Sequence, residues 1–199
     1  MKISEFSNQA YGSYYDYLRT NLFSVEFYKP TGLPEFYNGA SDANTKRLSY
    51  MCKSISIPGK SVGTIDAKRF GPIFKVANDM IVDTVAMTFM CSAQDMLEHR
   101  FFEGWIAAIT GNVKDAGRQK YTLSYYDQYW STLRIVPVTR LHAQQTPSVV
   151  LEEAYPTNVG PIELAWGDSS DVATFTVTFT MRDWRWDGDS TWWADDGED

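Results

Sequence analysis

The segment VATFTVTFTM, residues 172–181, decides the fold of this sequence. Its side chains alternate strictly, with Phe175, Val177 and Phe179 on one side and threonines on the other. The threonine side comprises Thr174, Thr176, Thr178 and Thr180. A period of two residues is that of a β-strand with one buried face and one face in water. The segment therefore predicts a half-buried strand in a two-faced sheet.

The same alternation recurs earlier in the chain. Phe23, Val25 and Phe27 share one face of a first strand, and Ser24 and Glu26 share the other. Further strands are predicted at residues 80–91, 121–127, 132–139, 149–155 and 162–166, with a short one near 53–57. Pro156 is expected to end one of these strands, because proline cannot donate to a sheet ladder.

One long helix is predicted, over about residues 93–110. Apolar residues such as Phe101 and Trp105 recur there at three- and four-residue spacing, which gives the helix one apolar face. Ser92 is expected to cap its start, and Gly111 to end it in the left-handed conformation. A single helix among many strands indicates a mainly β fold, an antiparallel sandwich or barrel with one packed α-helix.

These elements predict one β-rich domain over residues 1–186. Within it, residues 29–63 are rich in Pro and Gly and are expected to form a long connection, and loops of that length are often functional. Residues 187–199 follow as an acidic tail that contains Trp192 and Trp193.

The charge balance excludes some partners. The chain of 199 residues has a net charge of −7, but six of its 25 acidic residues and none of its 18 bases lie after Arg185. The body is thus nearly neutral, which argues against tight nucleic-acid binding. We expect no membrane span and no secretory signal, because no sufficiently long apolar run is present. Cys52 and Cys91 are expected to be reduced thiols.

No motif for catalysis or for a cofactor is recognised. His99 and His142 do not lie at metal-ligand spacing. Residues 59–61, Gly-Lys-Ser, lack the earlier glycine and the following helix of a phosphate-binding loop. Glu152 and Glu153 are adjacent in a predicted strand and would point to opposite faces. We therefore expect no enzyme, metal or cofactor, with a small β-rich carbohydrate-binding module or enzyme as the alternative of another class.

The order of segments over residues 20–186 carries a resemblance to a known family. The segments are NLFSVEF (21–27), IPG (57–59), EAYPTNVGPI (153–162), FTVTF (175–179) and RDW (182–184). In this order they resemble the tail tube proteins of contractile-tailed bacteriophages of the T-even type. The segment at 153–162, followed by the alternating last strand, is the most specific part of the likeness.

This resemblance implies a structural virion protein. Its copies would form homohexameric rings whose open sheet edges neighbouring subunits complete, and the rings would stack into a hollow tube. DNA would pass through the tube without specific binding, and sheath and baseplate proteins would be further partners. The protein would be located in the virion tail after assembly in the cytoplasm of the host bacterium. A baseplate tube initiator and the tube of a non-viral contractile injection system remain alternatives.

The implied tube suggests positions for individual residues. A DNA conduit needs a wall that does not retain phosphates. We therefore predict that Thr174, Thr176 and Thr178 line the lumen and that Glu26 adds negative charge there. Contacts between successive rings are predicted for four bases of the long connection, Lys46, Arg47, Lys53 and Lys60. The acidic tail is predicted to lie near the sheath.

Overall fold

The computed structural model describes residues 20–28, 30, 42–68, 70–111, 113–115, 118–120, 122–138, 147–164, 166 and 171–187. The strands are β1 (Phe23–Phe27), β2 (Cys52–Ile55), β3 (Lys60–Ala67), β4 (Phe74–Val82), β5 (Val85–Met90), β6 (Val113–Asp115), β7 (Arg118–Lys120), β8 (Ser131–Pro137), β9 (Ser148–Val159), β10 (Thr174–Thr180) and β11 (Asp183–Asp187). The helices are α1 (Asp42–Met51), α2 (Leu97–Ile109) and α3 (Tyr126–Tyr129). The predicted mainly β class is confirmed. The predicted acidic tail lies outside the described residues, except for Asp187 at the end of β11.

Most strands join one antiparallel sheet in the order β1-β8-β9-β10-β5-β2. The long strand β9 changes neighbours along its length. Its first half pairs with β8 and β11, and residues 155–159 pair with β10. Glu153, with a φ of 52°, lies at the change. The sheet thereby divides into two layers, β1-β8-β9-β11 and β9-β10-β5-β2, which share β9.

Both layers send apolar side chains into a single core. On β10, Phe175 and Phe179 are at most 2% exposed. Helix α2 packs against them through Phe102 and Trp105, with ring centroids 5.8–6.3 Å apart. The indole N–H of Trp105 donates to the carbonyl of Tyr129 at 2.8 Å, so its polar atom is satisfied. Truncating one such aromatic side chain to alanine typically costs about 3–5 kcal/mol.

The strands with the clearest alternation are found where they were predicted. Residues 172–181 contain β10, with buried apolar residues and outward threonines. Residues 23–27 form β1, and residues 132–139 overlap β8. The short strand predicted near 53–57 is β2.

The predicted helix over 93–110 is confirmed as α2, but its predicted start is wrong. Residues 93–95 form a turn, and α2 begins at Leu97. It follows Met96, which has a left-handed φ of 48°. The Ser92 hydroxyl makes no cap to α2 and accepts a hydrogen bond within the preceding turn instead.

The end of α2 agrees with the prediction. Gly111 has a φ of +55°, the left-handed conformation that glycine adopts without strain. Residues after it return over the helix end, where the Thr122 N–H donates to the Thr110 carbonyl at 3.1 Å. The Ser124 hydroxyl donates to the Ala108 carbonyl at 2.6 Å. These bonds satisfy carbonyls that the helix itself leaves free.

In its described part, the predicted long connection over residues 29–63 contains α1 and the start of β3, which were not predicted, besides the short strand predicted there, which is β2. Helix α1 packs beside β1, and its Ser49 hydroxyl donates to the Val25 carbonyl. Leu48 is buried in the core. Because α1 has few apolar residues, no apolar periodicity indicated it.

Residues 80–91, predicted as one strand, contain parts of two. Residues 83–84 interrupt the ladder, so β4 turns back on β3 and only β5 joins the main sheet. The alternation of 85–91 is that of β5.

Three further predictions are wrong. The described part of 121–127 forms no strand, because residues 122–125 are irregular and α3 follows. Pro156 does not end its strand: it lies within β9 opposite Phe179, beside an irregularity in register that accommodates it. The described residues of 162–166 form no strand.

Candidate assembly surfaces

The outer side of β10 and β5 forms the first candidate surface, which we call the threonine face. Thr176 lies opposite Thr88, and their hydroxyl oxygens are 3.3 Å apart. Thr178 lies opposite Ala86. Neither strand contains a charged residue. The surface is therefore hydroxyl-rich and neutral, and it offers water hydrogen bonds without attracting phosphates.

The layer that carries this face has two open borders among the described residues. On one side, β2 pairs with β5 alone. On the other side, residues 155–159 of β9 pair with β10 along one backbone edge. Their other backbone edge, which faces away from β10, borders a groove lined by α2. From the helix, Arg100, Glu103 and Ala107 line this groove. Unpaired strand borders expose backbone donors and acceptors that a further strand can satisfy.

Strands β3 and β4 form a hairpin that pairs with no other described strand. The cross-strand partners Ile65 and Val76 share one of its faces with Phe74, and all three are exposed. Phe70 and Ile73, between the strands, are exposed as well. A two-stranded hairpin in water is marginally stable by itself. An exposed apolar face of this kind marks an interaction site.

A close approach inside the hairpin explains one of its glycines. At the irregularity in the ladder, Gly63 lies opposite Asp79. A Cβ on residue 63 would lie 1.8 Å from the Asp79 carboxylate oxygen Oδ1. Glycine therefore leaves room for the Asp79 side chain across the strand.

Lys60 joins the base of the hairpin to the body. Its ammonium lies 2.7 Å from the Asp183 carboxylate and 5.0 Å from the centre of the Trp184 ring. Burial opposes the ionisation of Asp183, but the hydrogen bond from Lys60 and other favourable interactions lower its pKa. Lys60, predicted to contact the next ring, is thus already bound within its own subunit.

Arg47 is likewise bound within the chain. Its guanidinium makes two hydrogen bonds to Asp95, at 2.7 and 2.9 Å, and its Nε donates to Glu98 at 3.0 Å. Glu98 is fully buried, and its other carboxylate oxygen accepts from the Ser92 N–H at 3.1 Å. The hydrogen bond from Arg47 lowers the pKa of Asp95. This network fixes α1 against the start of α2.

Glu26 lies on a different part of the sheet from the threonine face. On the outer side of β1, its carboxylate is 3.8 Å from Arg134 of β8. Arg134 also pairs with Asp187 at 2.6 Å. Since β8 and β9 separate β1 from β10, the structure does not bring Glu26 beside Thr176.

The two remaining predicted contact residues, Lys46 and Lys53, are exposed on α1 and β2. The structure thus separates the four predicted bases into two exposed lysines and two residues with internal partners. Sequence reasoning missed the hairpin, although the apolar residues between 62 and 81 were a visible signal.

Side chains of the types that bind metals do not cluster in the ranges that the structure describes. In those ranges, no group of three or more His, Cys, Asp or Glu side chains is placed to hold a metal ion. Burial raises the pKa of Cys52 to about 12, which removes its thiolate at neutral pH. His99 packs its ring edge on Phe175 and lies 3.6 Å from Glu103 on the same helix. None of the described helices is long and apolar enough to cross a membrane.

Comparison with solved structures identifies the class of fold. A chain of the sheath-tube complex of PVC, an extracellular contractile injection system, matches with a TM-score of 0.58 and 14% identity, over 91% of this chain and 97% of that chain. A chain of the anti-feeding prophage baseplate gives a TM-score of 0.57 at 12% identity, over 87% and 97% of the two chains. At these identities the likeness shows the fold alone, which is a fold present in contractile injection machines.

The sequence then assigns the family. The family model for phage tail tube proteins matches residues 18–187. The tail tube proteins gp19 of Enterobacteria phages T4 and T6 are each 25% identical over 172 residues, which is 85% of this chain and 92% of each relative. The chain therefore belongs to the phage tail tube protein family.

The predicted class, a structural tail tube protein of a contractile-tailed phage, is confirmed. The family assigns the protein to the tail tube of a phage virion. The family thereby favours the structural reading over the carbohydrate-binding module or enzyme.

Proposed function

We propose that this chain forms homohexameric rings that stack into a hollow tube, with the threonine face turned to the lumen. Thr174, Thr176 and Thr178 would then meet the passing DNA. The observation that carries this proposal is a neutral, hydroxyl-rich face on a sheet whose two borders are open. A wall without bases releases few counterions from DNA and so does not retain it.

Ring closure would use the two open borders. The edge of β2 in one copy would pair with residues 155–159 of β9 in the next copy. The two borders differ, so the contact is heterologous. A heterologous contact closes into a ring when the rotation from one subunit to the next is a whole fraction of 360°. Closure would satisfy the exposed backbone groups, as a barrel does within one chain.

Stacking of rings would use the hairpin, which projects from the body with an apolar face. Lys46 and Lys53 stay predicted contacts between rings, since both are exposed on the elements that precede the hairpin. Arg47 and Lys60 would contribute to stacking indirectly, because Arg47 holds α1 in place and Lys60 holds the base of the hairpin in place. The assignment of Glu26 to the lumen stays a prediction, and its Arg134 partner would reduce the charge that it presents.

The proposed role is purely structural, without catalysis or a cofactor. The chain would assemble in the host cytoplasm as a domain over residues 1–186, and the tail at 187–199 would face the sheath. A baseplate tube initiator is the second candidate, favoured by the fold likeness to a chain of the anti-feeding prophage baseplate.

Negative-stain electron microscopy of the purified chain tests the proposal. Stacked rings with six-fold end views are expected, and their length should grow with protein concentration. If tubes grew only from one end of a baseplate and no free tubes formed, the role of a baseplate tube initiator would be favoured. Monodisperse particles at high concentration, with no companion protein able to template a cylinder, would refute the proposal.

A further inference from the structure

Residues 126–130 precede β8 in line with the open border of β9. In the antiparallel ladder of these two strands, Ser131 lies opposite Ala154. Each step back from Ser131 therefore corresponds to a step forward from Ala154 along β9. If residues 126–130 were extended, they would lie opposite residues 155–159. That stretch of β9 is the border that the proposed ring contact uses.

The sequence of this segment is compatible with a strand, although the structure shows a helix. Three of its five residues, Tyr126, Tyr129 and Trp130, are aromatic, and aromatic residues are frequent in strands. The alternation over residues 121–127 likewise predicts a strand, yet its described part is irregular and leads into α3. A helix as short as α3 is not stable by itself. Contacts with the rest of the subunit therefore hold it.

One of these contacts comes from Trp105 of α2. Its indole N–H donates to the Tyr129 carbonyl at 2.8 Å, and the Trp105 side chain is fully buried. Without this acceptor, the indole N–H would be a buried donor without a partner, which is unfavourable. The Tyr129 carbonyl is thus engaged by α2 instead of by a ladder with β9.

A second contact, which we call the Glu153 lock, joins α3 to the point where β9 changes layers. The Tyr126 hydroxyl donates to the Glu153 carboxylate, and Arg182 donates to the same carboxylate at 2.7 Å. Burial and the hydrogen bond to Glu153 raise the pKa of Tyr126 to about 12, so its hydroxyl keeps the proton that it donates. The left-handed φ of Glu153, 52°, is a strained conformation that persists only where surrounding contacts hold it.

The rings of α3 also pack on the first residue of the border. The ring centroids of Tyr126 and Tyr129 lie 6.3 and 5.1 Å from that of Tyr155, and both pairs are nearly perpendicular. Residues 157–159 lie beyond this contact and line the groove beside α2. In its helical form, α3 is therefore anchored beside Tyr155 while the rest of the border stays open.

We infer that α3 is an autoinhibitory switch of ring closure, which the Glu153 lock holds in its permissive form. With α3 helical, residues 155–159 are open to β2 of the next copy. With residues 126–130 extended, the chain would pair with its own border and exclude that copy, because one strand edge offers its backbone groups to one partner. This inference rests on the proposed function and adds to it a control over when the border is available.

The test compares two double variants. Tyr126→Phe with Gln128→Val removes the hydroxyl of the lock and adds a β-branched residue, which favours a strand. Tyr125→Phe with Leu123→Val is the control, because these side chains are 79% and 84% exposed and lie outside residues 126–130. We expect the first variant to need at least about tenfold more protein to form rings, since only its open fraction can bind. The control should assemble like the unmodified chain, as measured by sedimentation.

Hydrogen exchange in the monomer separates a switch from a simple loss of stability. Below the concentration of ring formation, the amides of residues 157–159 that do not pair with β10 should exchange more slowly in the first variant than in the unmodified chain. The reason is that the extended segment would protect them, whereas a loss of stability would expose them.

Proline substitutions provide a rescue experiment. Adjacent amides of a strand point to opposite sides, so Asp127→Pro with Gln128→Pro removes a ladder donor in either register. Tyr126→Phe combined with these two prolines should regain ring formation, although α3 is disrupted.

Three results would overturn the inference while leaving tube formation intact. They are ring formation by the Tyr126/Gln128 variant at the normal concentration, faster exchange at residues 157–159 in that variant, and no recovery with the two prolines. Failure of the unmodified chain to form rings would instead count against the proposed function, and the inferred control of ring closure would fall with it.

Discussion

The ammonium of Lys60 lies 2.7 Å from the carboxylate of Asp183, so the first residue of the projecting hairpin is tied to the first residue of β11. The same ammonium lies 5.0 Å from the ring centre of Trp184. A hairpin that pairs with no other described strand gains a defined direction from this contact. A defined direction lowers the entropy lost when the hairpin docks on another subunit.

Replacing Lys60 by Met should loosen the hairpin with little effect on overall stability. The ion pair is partly exposed, so we expect a loss of less than about 1 kcal/mol in the free energy of unfolding. Hydrogen exchange of the hairpin amides should become faster, and the lag before stacking should lengthen. Exposed Lys53→Met serves as the control and should leave hairpin exchange unchanged. Equal exchange in both variants would contradict an anchoring role.

The same pair predicts a dependence on pH. The pKa of Asp183 is below its ordinary value of 3.8, so the carboxylate is ionised at neutral and mildly acidic pH. A lowered pKa in the folded state contributes stability above 3.8, and this contribution is lost as the pH falls through the folded value. Hairpin exchange in the unmodified chain should therefore stay slow down to about pH 4 and approach that of Lys60→Met only below it.

Glu98→Ala should destabilise the fold strongly. The change leaves Arg47 without its buried partner and the Ser92 N–H without its acceptor. Removing one member of a buried charge pair typically costs about 3–5 kcal/mol, and we expect about 3 kcal/mol because Arg47 is partly exposed. Urea unfolding followed by tryptophan fluorescence measures the loss.

Glu103→Ala is the matched control for Glu98, since it lies on the same helix with an exposed side chain. Glu103→Ala should change the free energy of unfolding by no more than about 0.5 kcal/mol. Similar losses for the two variants would show that the carboxylate of Glu98 has no special role in fixing α1 against α2.

Gly111→Ala should destabilise the end of α2. A side chain in the left-handed conformation costs about 1–2 kcal/mol, and here the Cβ would also lie 1.9 Å from the backbone oxygen of Thr122. We expect a loss above about 2 kcal/mol in thermal or urea unfolding. Gly59→Ala is the control, because its Cβ would lie 3.3 Å from a side-chain oxygen of Asp83 that is free to shift. If Gly111→Ala lost less stability than Gly59→Ala, the predicted clash at residue 111 would be contradicted.

Local rules were sufficient for part of this fold. The threonine alternation of β10 and the glycine stop at residue 111 depend on neighbours in sequence, and both predictions are confirmed. The start of α2 depends on Glu98, which binds the Ser92 N–H and the distant Arg47. Because that network joins elements far apart in sequence, no capping rule applied to residues 92–95 predicts it.

The candidate surfaces were predictable to a different degree. The neutral threonine side of one strand is readable from residues 174–180 alone. The apolar residues between 62 and 81 indicate strands, but they do not show that these strands are exposed, because buried strands carry the same residue types. Only the absence of a partner among the other described strands shows that the hairpin is exposed. Lys60 and Arg47 were expected at the surface, since a sequence does not show that Asp183 and Asp95 lie beside them.

Thr176→Lys should convert the proposed lumen from a neutral wall into one that retains DNA. Thr176 lies in the middle of β10, exposed and opposite Thr88, so the lysine adds one positive charge per subunit without entering the core. Tubes assembled with a short DNA duplex and then freed of unbound DNA should retain the duplex in the variant and lose it in the unmodified chain. The retained amount should fall steeply with salt, because each phosphate contact releases a condensed counterion.

Gln128→Lys adds the same charge on exposed α3 and serves as the control for position. DNA bound by this control should be digested by added nuclease, whereas DNA inside Thr176→Lys tubes should be protected. The reason is geometric: a duplex held along a lumen is shielded by the wall over its length, and a duplex on the outside is not. Retained DNA that is equally sensitive in the two variants would place β10 outside the lumen and would remove the physical basis for a neutral threonine wall.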